Sequence, residues 1–266
     1  MRKKQGLTIV YILLILLFLV LALVSGWKIF DILADYRAEE NTSKELQQYI
    51  TPVTVPPATE PVALPTQVPE EIPVPTEAPY PYPVVDFAAL QEINDDVIGW
   101  IQIEGTKINY PIVQGKDNQR YINHMADGKW NPAGSIFMDY RNEADFSDVH
   151  TVLYGHNMRN GSMFAGIMDY KKKGFLEEHP TGVILTPEKN FRFEVVSGYV
   201  AQVTDPAWQL YFESDEDYEA WRRKTMKRSV IGGEFALEPT DRFITLSTCS
   251  YEFDDARFVL VCRIIE

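Results

Sequence analysis

Apolar and polar positions are spread very unevenly along this chain. Residues 7–24, LTIVYILLILLFLVLALV, contain no charge and only two hydroxyls, Thr8 and Tyr11. Carried through Trp27, the run gives about 21 residues, or roughly 32 Å of helix, enough to cross a bilayer core. It is too long for a signal-peptide core and no small-x-small cleavage pattern follows it, so it predicts an uncleaved transmembrane anchor over residues 7–27 behind a tail of residues 1–6. Residues 28–50 mix charges with Ile29, Ile32, Leu33, Tyr36, Leu46 and Tyr49, a pattern that predicts a juxtamembrane helix. Periodicity then stops. Between residues 51 and 83, eleven of 33 positions are proline and four are glutamate, which predicts a semi-rigid polyproline spacer of up to about 100 Å that holds the next domain away from the membrane. Leu64-Pro65-Thr66 inside it looks like the start of a wall-sorting signal, but no glycine follows in place and no second span lies downstream.

Residues 84–266 read as one domain. Asp86 is placed to cap a helix through FAALQEIN, with Phe87, Leu90 and Ile93 at helical spacing. Short alternating or β-rich runs follow at 97–103, 107–113, 135–138, 151–154, 182–186, 191–203, 242–248 and 257–265, separated by Gly, Pro and Asn turns. Eight such strands predict a mainly β domain, a closed or nearly closed barrel with helices; a sandwich fits the same pattern. One long helix, SDEDYEAWRRKTMKRSV at 214–230, interrupts them before the last two strands. Ser214 and Asp217 form an acidic capping box, acids fill the first turn and bases the last, and Tyr218, Trp221, Thr225 and Met226 make one less polar face. Its charges are expected to be solvated.

Charge orients the chain and excludes some partners. Arg2, Lys3 and Lys4 precede the apolar run, while Asp31, Asp35, Glu39 and Glu40 follow it, so the positive-inside rule puts the N-terminus in the cytoplasm and the remainder outside a single-pass cell-membrane anchor. The formal charge of −13 becomes −16 without those three basic residues, which disfavours nucleic acid and anionic lipid as ligands. The two cysteines, Cys249 and Cys262, could pair in arithmetic, but a domain with this much core has little need of a staple.

The chemistry-bearing candidates are few. Cys249 ends the run TLSTC, and period-two alternation puts Thr245, Ser247 and Cys249 on one face and Leu246 and Thr248 on the other. A lone cysteine is more often a small buried apolar residue than a nucleophile, but this polar company aims it at a cleft. Of His124, His150, His156 and His179, His156 is the best base or acid candidate, because a β-run ends in Tyr154-Gly155 directly before it; any of the four could equally be a surface residue. Arg257 opens the final run, either as a rim charge paired with Asp254 or Asp255 or as an oxyanion-stabilising guanidinium facing Cys249. The Cys and His residues lack metal-ligand spacing and no glycine-rich phosphate loop occurs, so no metal or cofactor is expected.

At these residues the chain resembles the class B sortases, membrane-anchored cysteine transpeptidases of Gram-positive bacteria. The resemblance is carried by TLSTC at 245–249, Arg257, LYGH at 153–156, INYPIVQGKDN at 108–118, AGSIFMDYRN at 133–142 and the long helix from Ser214. It implies an eight-stranded sortase-type β-barrel with Cys249 as nucleophile, His156 as acid and base and Arg257 on the oxyanion. It further implies cleavage of a C-terminal sorting signal after threonine, a thioester acyl-enzyme, and transfer of the surface protein to a peptidoglycan amine, in the manner of cysteine proteases that pass their acyl group to an amine. Family substrate contacts map onto Asn109, Tyr154 and Ser247, and less directly onto Thr204 and Trp208. Two positions after the cysteine, where some members carry an acid, stands Tyr251, so no third acid is assigned. Pilin-building relatives commonly add a lid and a C-terminal span; the chain stops at Glu266 after its last run, which favours anchoring over pilin polymerisation. Weighed against these are a membrane-tethered peptide-binding module without turnover, which an intact Cys249, His156 and Arg257 disfavours, and a papain-like hydrolase, disfavoured by the late position of the cysteine.

Overall fold

The computed structural model describes residues 2–52, 80–233 and 235–265. A single helix, α1 (Arg2–Gln47), takes in both the apolar run and the predicted juxtamembrane helix without a break. From Tyr11 on it is long and apolar enough to cross a membrane, with a mean hydropathy of 2.6 in its most apolar window, none of it buried against the rest of the chain.

The far end of α1 is instead docked on the barrel. Asn131 Nδ2 donates to the Asp35 carbonyl at 3.0 Å, Gln47 Nε2 to the Asn109 carbonyl at 3.1 Å, and Glu39, only 2% exposed, accepts from Ser43 Oγ and Asn160 Nδ2. Directly after the helix, β1 (Ile50–Thr51) pairs antiparallel with β2 (Val84–Val85), Ile50 opposite Val85. The proline-rich segment therefore leaves and returns at one place. Residues 53–79, most of the run expected to be a spacer, lie outside the described residues; α1 itself carries the chain about 30 Å from Trp27 to Gln47 before the clasp.

The short α2 (Phe87–Ile93) starts as its sequence dictates, with Asp86 Oδ1 accepting from Ala89 N at 3.0 Å; Phe87 and Leu90 are buried, whereas Ile93 faces solvent. The barrel strands are β3 (Val97–Gln102), β4 (Asn109–Val113), β5 (Ile136–Met138), β6 (His150–Tyr154), β7 (Thr181–Leu185), β8 (Phe191–Gln202), β9 (Phe243–Cys249) and β10 (Ala256–Ile264), one for each predicted run. They close in the order β10-β8-β7-β3-β4-β5-β6-β9, with β4 parallel to β5, β6 parallel to β9 and the other pairs antiparallel.

Closure gives every strand an inner and an outer face, and β10 shows why the sequence there is apolar without alternation. Phe258, Leu260 and Cys262 point into the interior cluster with Ile244 and Leu246, while Val259 and Val261 pack outward under Tyr218 and Trp221 of α4 (Asp215–Lys227), which comes after the one-turn α3 (Phe175–Glu178). Full burial of each such side chain contributes about 1.5–3 kcal/mol. A second outer cluster, with Leu46, Phe87, Leu90 and Trp100, joins α1 and α2 to β3. α4 is capped as predicted, Ser214 Oγ accepting from Asp217 N at 3.2 Å. One of its charges is not solvated: Arg222 is buried, pairs with Glu219 and donates to the Glu238 carbonyl.

Candidate active site

β9 delivers Cys249 to the rim of the barrel, partly exposed, and the register with β10 sets Arg257 directly opposite it. Because Phe258 and Leu260 fill the interior, odd-numbered positions of both strands look outward. Ser247, Cys249 and Arg257 therefore share one outer face, as alternation along TLSTC requires. Cys262 is enclosed in the interior cluster, where burial pushes its thiol pKa up, and both thiols are free.

The segment that carries His156 is bound tightly to the end of β9. β6 runs parallel to β9 with Tyr154 opposite Ser247. Beyond the ladder, Gly155 N donates to the Ser247 carbonyl at 3.1 Å, Thr248 Oγ1 to the Gly155 carbonyl at 2.7 Å, and Asn157 Nδ2 to the Cys249 carbonyl at 2.9 Å. Each contributes about 1 kcal/mol net, and together they tie the imidazole carrier to the thiol carrier. Position 155 must be glycine for this: a Cβ there would meet Ile136 Cδ1 at 2.5 Å and the Phe164 ring at 2.8 Å.

His156 Nε2 lies 2.7 Å from the Ile122 carbonyl oxygen. A carbonyl only accepts, so Nε2 carries the proton and Nδ1 is the nitrogen left to exchange one. The ring is thus oriented by main chain. Gly134, at φ +59°, permits that carbonyl its position, since a Cβ would sit 2.5 Å from both the Tyr121 and Ile122 oxygens.

One groove runs across these elements. At one end it is lined by Asn118, Phe137, His156 and Cys249, at the other by Arg141, Thr204 and Trp208, with Tyr154, Ser247 and Arg257 common to both. Trp208 Nε1 donates to Ser247 Oγ at 3.1 Å. Of the substrate-contact candidates, Tyr154, Ser247, Thr204 and Trp208 line this groove. Asn109 does not: its Oδ1 accepts from Trp100 Nε1 at 2.7 Å and its carbonyl from Gln47, on the side where α1 docks. Arg257 makes one hydrogen bond, Nη1 to the Ala256 carbonyl at 3.0 Å, and no ion pair among the described residues, so neither Asp254 nor Asp255 neutralises it. Within the β9–β10 loop, Glu252 is instead held by Lys171 and Ser250, whose hydrogen bonds bring its pKa down to about 2.

The remaining histidines are accounted for. His150 is not at the surface: it is fully buried at the start of β6, with Nε2 2.7 Å from Thr245 Oγ1 and Nδ1 2.7 Å from the Gln209 carbonyl, and burial lowers its pKa to about 4. His124 and His179 bond to backbone carbonyls away from the groove. Asn118, Asp139 and Arg141 stand in the sequence motifs without a role assigned to them, and the Ile122 carbonyl and Asn157 stand outside those motifs.

A partly exposed thiol, an imidazole with one committed nitrogen and an unpaired guanidinium in one peptide-sized groove are the equipment of cysteine-dependent acyl transfer. Residues 101–265 match the sortase domain family. Over its whole length the chain is 32% identical to sortase B of Staphylococcus aureus, covering 99% of that protein. The Staphylococcus aureus sortase B–substrate complex is similar in structure, with a TM-score of 0.64 and 37% identity over 68% of this chain and 84% of that one. A sortase B complexed with triglycine gives a TM-score of 0.64 and 37% identity over 68% of this chain and 85% of that one. The chain belongs to the sortase family, in its class B, and is a sortase transpeptidase.

Proposed function

We propose that the chain cleaves a C-terminal sorting signal after threonine and transfers the surface protein to a peptidoglycan amine. Cys249, its thiol proton passed to His156, attacks the threonine carbonyl, Arg257 and a backbone N–H hold the tetrahedral oxyanion, and His156 gives that proton to the departing amine. The resulting thioester is attacked by an amine that His156 deprotonates, a two-step covalent exchange. Supporting this most directly is the register that sets Arg257 opposite Cys249 beside the tied-down 155–157 segment. The relatives captured with a substrate and with triglycine supply the acyl-donor and amine classes. The apolar part of α1 anchors the enzyme in the cell membrane with Arg2–Lys4 inside and the barrel outside.

The test uses the full chain in detergent micelles, since α1 is part of the folded body, with a panel of fluorogenic sorting peptides and triglycine as acceptor. Wild type is expected to cleave at least one peptide and to form the triglycine conjugate. No cleavage, or equal cleavage by Cys249→Ala, would sink the reading.

A further inference from the structure

Asp139 follows β5 and is completely buried, yet it lies under the groove wall. Its carboxylate accepts from Arg141 Nε at 2.9 Å, Arg141 Nη2 at 2.8 Å, Arg141 N at 3.1 Å, Tyr154 Oη at 2.9 Å and Asn118 Nδ2 at 3.0 Å. Its own backbone is fixed as well, N donating to the Val152 carbonyl and O accepting from Gln114 Nε2. One carboxylate thus gathers three groove-lining side chains from three separate elements. Burial opposes its ionisation, but the hydrogen bonds from Arg141, Tyr154 and Asn118 outweigh that and hold its pKa below the usual range. Burial and the neighbouring charge keep Tyr154 protonated.

This network has a polarity. Tyr154 spends its only proton on Asp139, so its hydroxyl can offer the groove lone pairs alone. Ser247, opposite it in register, already accepts from Trp208, so its hydroxyl proton is left to donate. Arg141 is neutralised by the same carboxylate, which leaves Arg257 as the uncompensated guanidinium in the groove. We propose that Asp139 is a positioning residue for the acyl-donor peptide: it fixes Tyr154 as a hydrogen-bond acceptor beside the donor Ser247, so that the pair reads an N–H and a C=O of the extended peptide. The proposal rests on the transpeptidase reading.

Cleavage by wild type and none by Cys249→Ala is established first and judges that reading alone. The same peptide, N-methylated at one upstream amide at a time, then tests the polarity. In wild type one methylation is expected to raise KM about tenfold, and in Tyr154→Phe that position should carry no further penalty. Asp139→Asn should raise KM by a similar factor, with kcat within about threefold and both limbs of its pH profile unmoved; combined with Tyr154→Phe the effects should fall short of their product. A methylation penalty that persists in Tyr154→Phe overturns the proposal, as does a folded Asp139→Asn that lowers kcat at unchanged KM. The methylation series stands on Tyr154→Phe alone and decides the matter even where Asp139→Asn does not fold.

Discussion

Arg257→Lys isolates the oxyanion role from charge and from folding. Lysine keeps the cation but presents an ammonium on a flexible stem in place of the planar fork, so a donor aimed at a developing oxyanion is lost while the field remains. Removal of one such donor typically costs about 2.7–4 kcal/mol, or 10²–10³ in turnover. Stability should hardly respond: the guanidinium makes no ion pair among the described residues and bonds only to the carbonyl of its own neighbour, Ala256. A surface change of this kind lies within about 0.5 kcal/mol, a shift of roughly 1–2 °C in Tm for a domain of this size. The assay is steady-state cleavage of a sorting peptide by the full chain in micelles, alongside thermal unfolding. A kcat/KM at least a hundredfold down with Tm held is the expected result. A value within about threefold of wild type would refute the role given to Arg257, and a fall matched by a large loss of Tm would show that the residue acts through structure.

Three further outcomes follow from particular contacts. Gly134→Ala should cost about 2 kcal/mol or more in denaturant unfolding, given its positive φ and a Cβ 2.5 Å from two carbonyl oxygens, and should lower kcat because the displaced Ile122 carbonyl holds His156. His150, with a folded pKa of about 4, is neutral in the fold but takes a proton in the unfolded chain below about 6.5. Its contribution is complete above that pH and lost as the pH falls towards 4, roughly 2–3 kcal/mol between pH 7 and 4.5; His150→Asn should show a correspondingly shallower dependence in urea titrations. Replacing residues 53–79 by a few Gly and Ser residues should leave peptide cleavage within about twofold and raise stability by roughly 1 kcal/mol through the shorter closed loop, because β1 and β2 already meet; loss of cleavage in micelles would contradict the clasp.

The barrel was legible because its strands are short, β-rich and punctuated by turns, and because alternation in TLSTC survives in the register with β10. What the sequence concealed depends on contacts distant along the chain. Glu39 and Arg222 look like ordinary solvated charges on helices, and only docking against other elements buries them. His150 and His156 stand six positions apart in the same strand region, yet one is enclosed by Thr245, Gln209 and Trp221 and the other lies at the groove. The proline-rich run has the composition of a spacer whether or not its ends meet, and a two-residue strand at each end carries too little pattern to reveal the clasp. Asp139 sits in MDYRN like a turn residue; its partners Asn118 and Tyr154 come from elements 21 and 15 positions away. Asn109 shared a well-matched motif with Asn118, but the strand carries it to the α1 side while the following loop brings Asn118 to the groove.

The covalent step itself is the most direct measurement. Full-length enzyme mixed with a cleavable sorting peptide in the absence of amine, quenched in acid and weighed intact, should gain the mass of the peptide up to its threonine acyl group. Hydroxylamine or triglycine should remove that mass, and Cys249→Ala should never acquire it. A wild-type enzyme that cleaves the peptide without a trappable adduct at Cys249, or an adduct of equal yield on Cys249→Ala, would contradict the account.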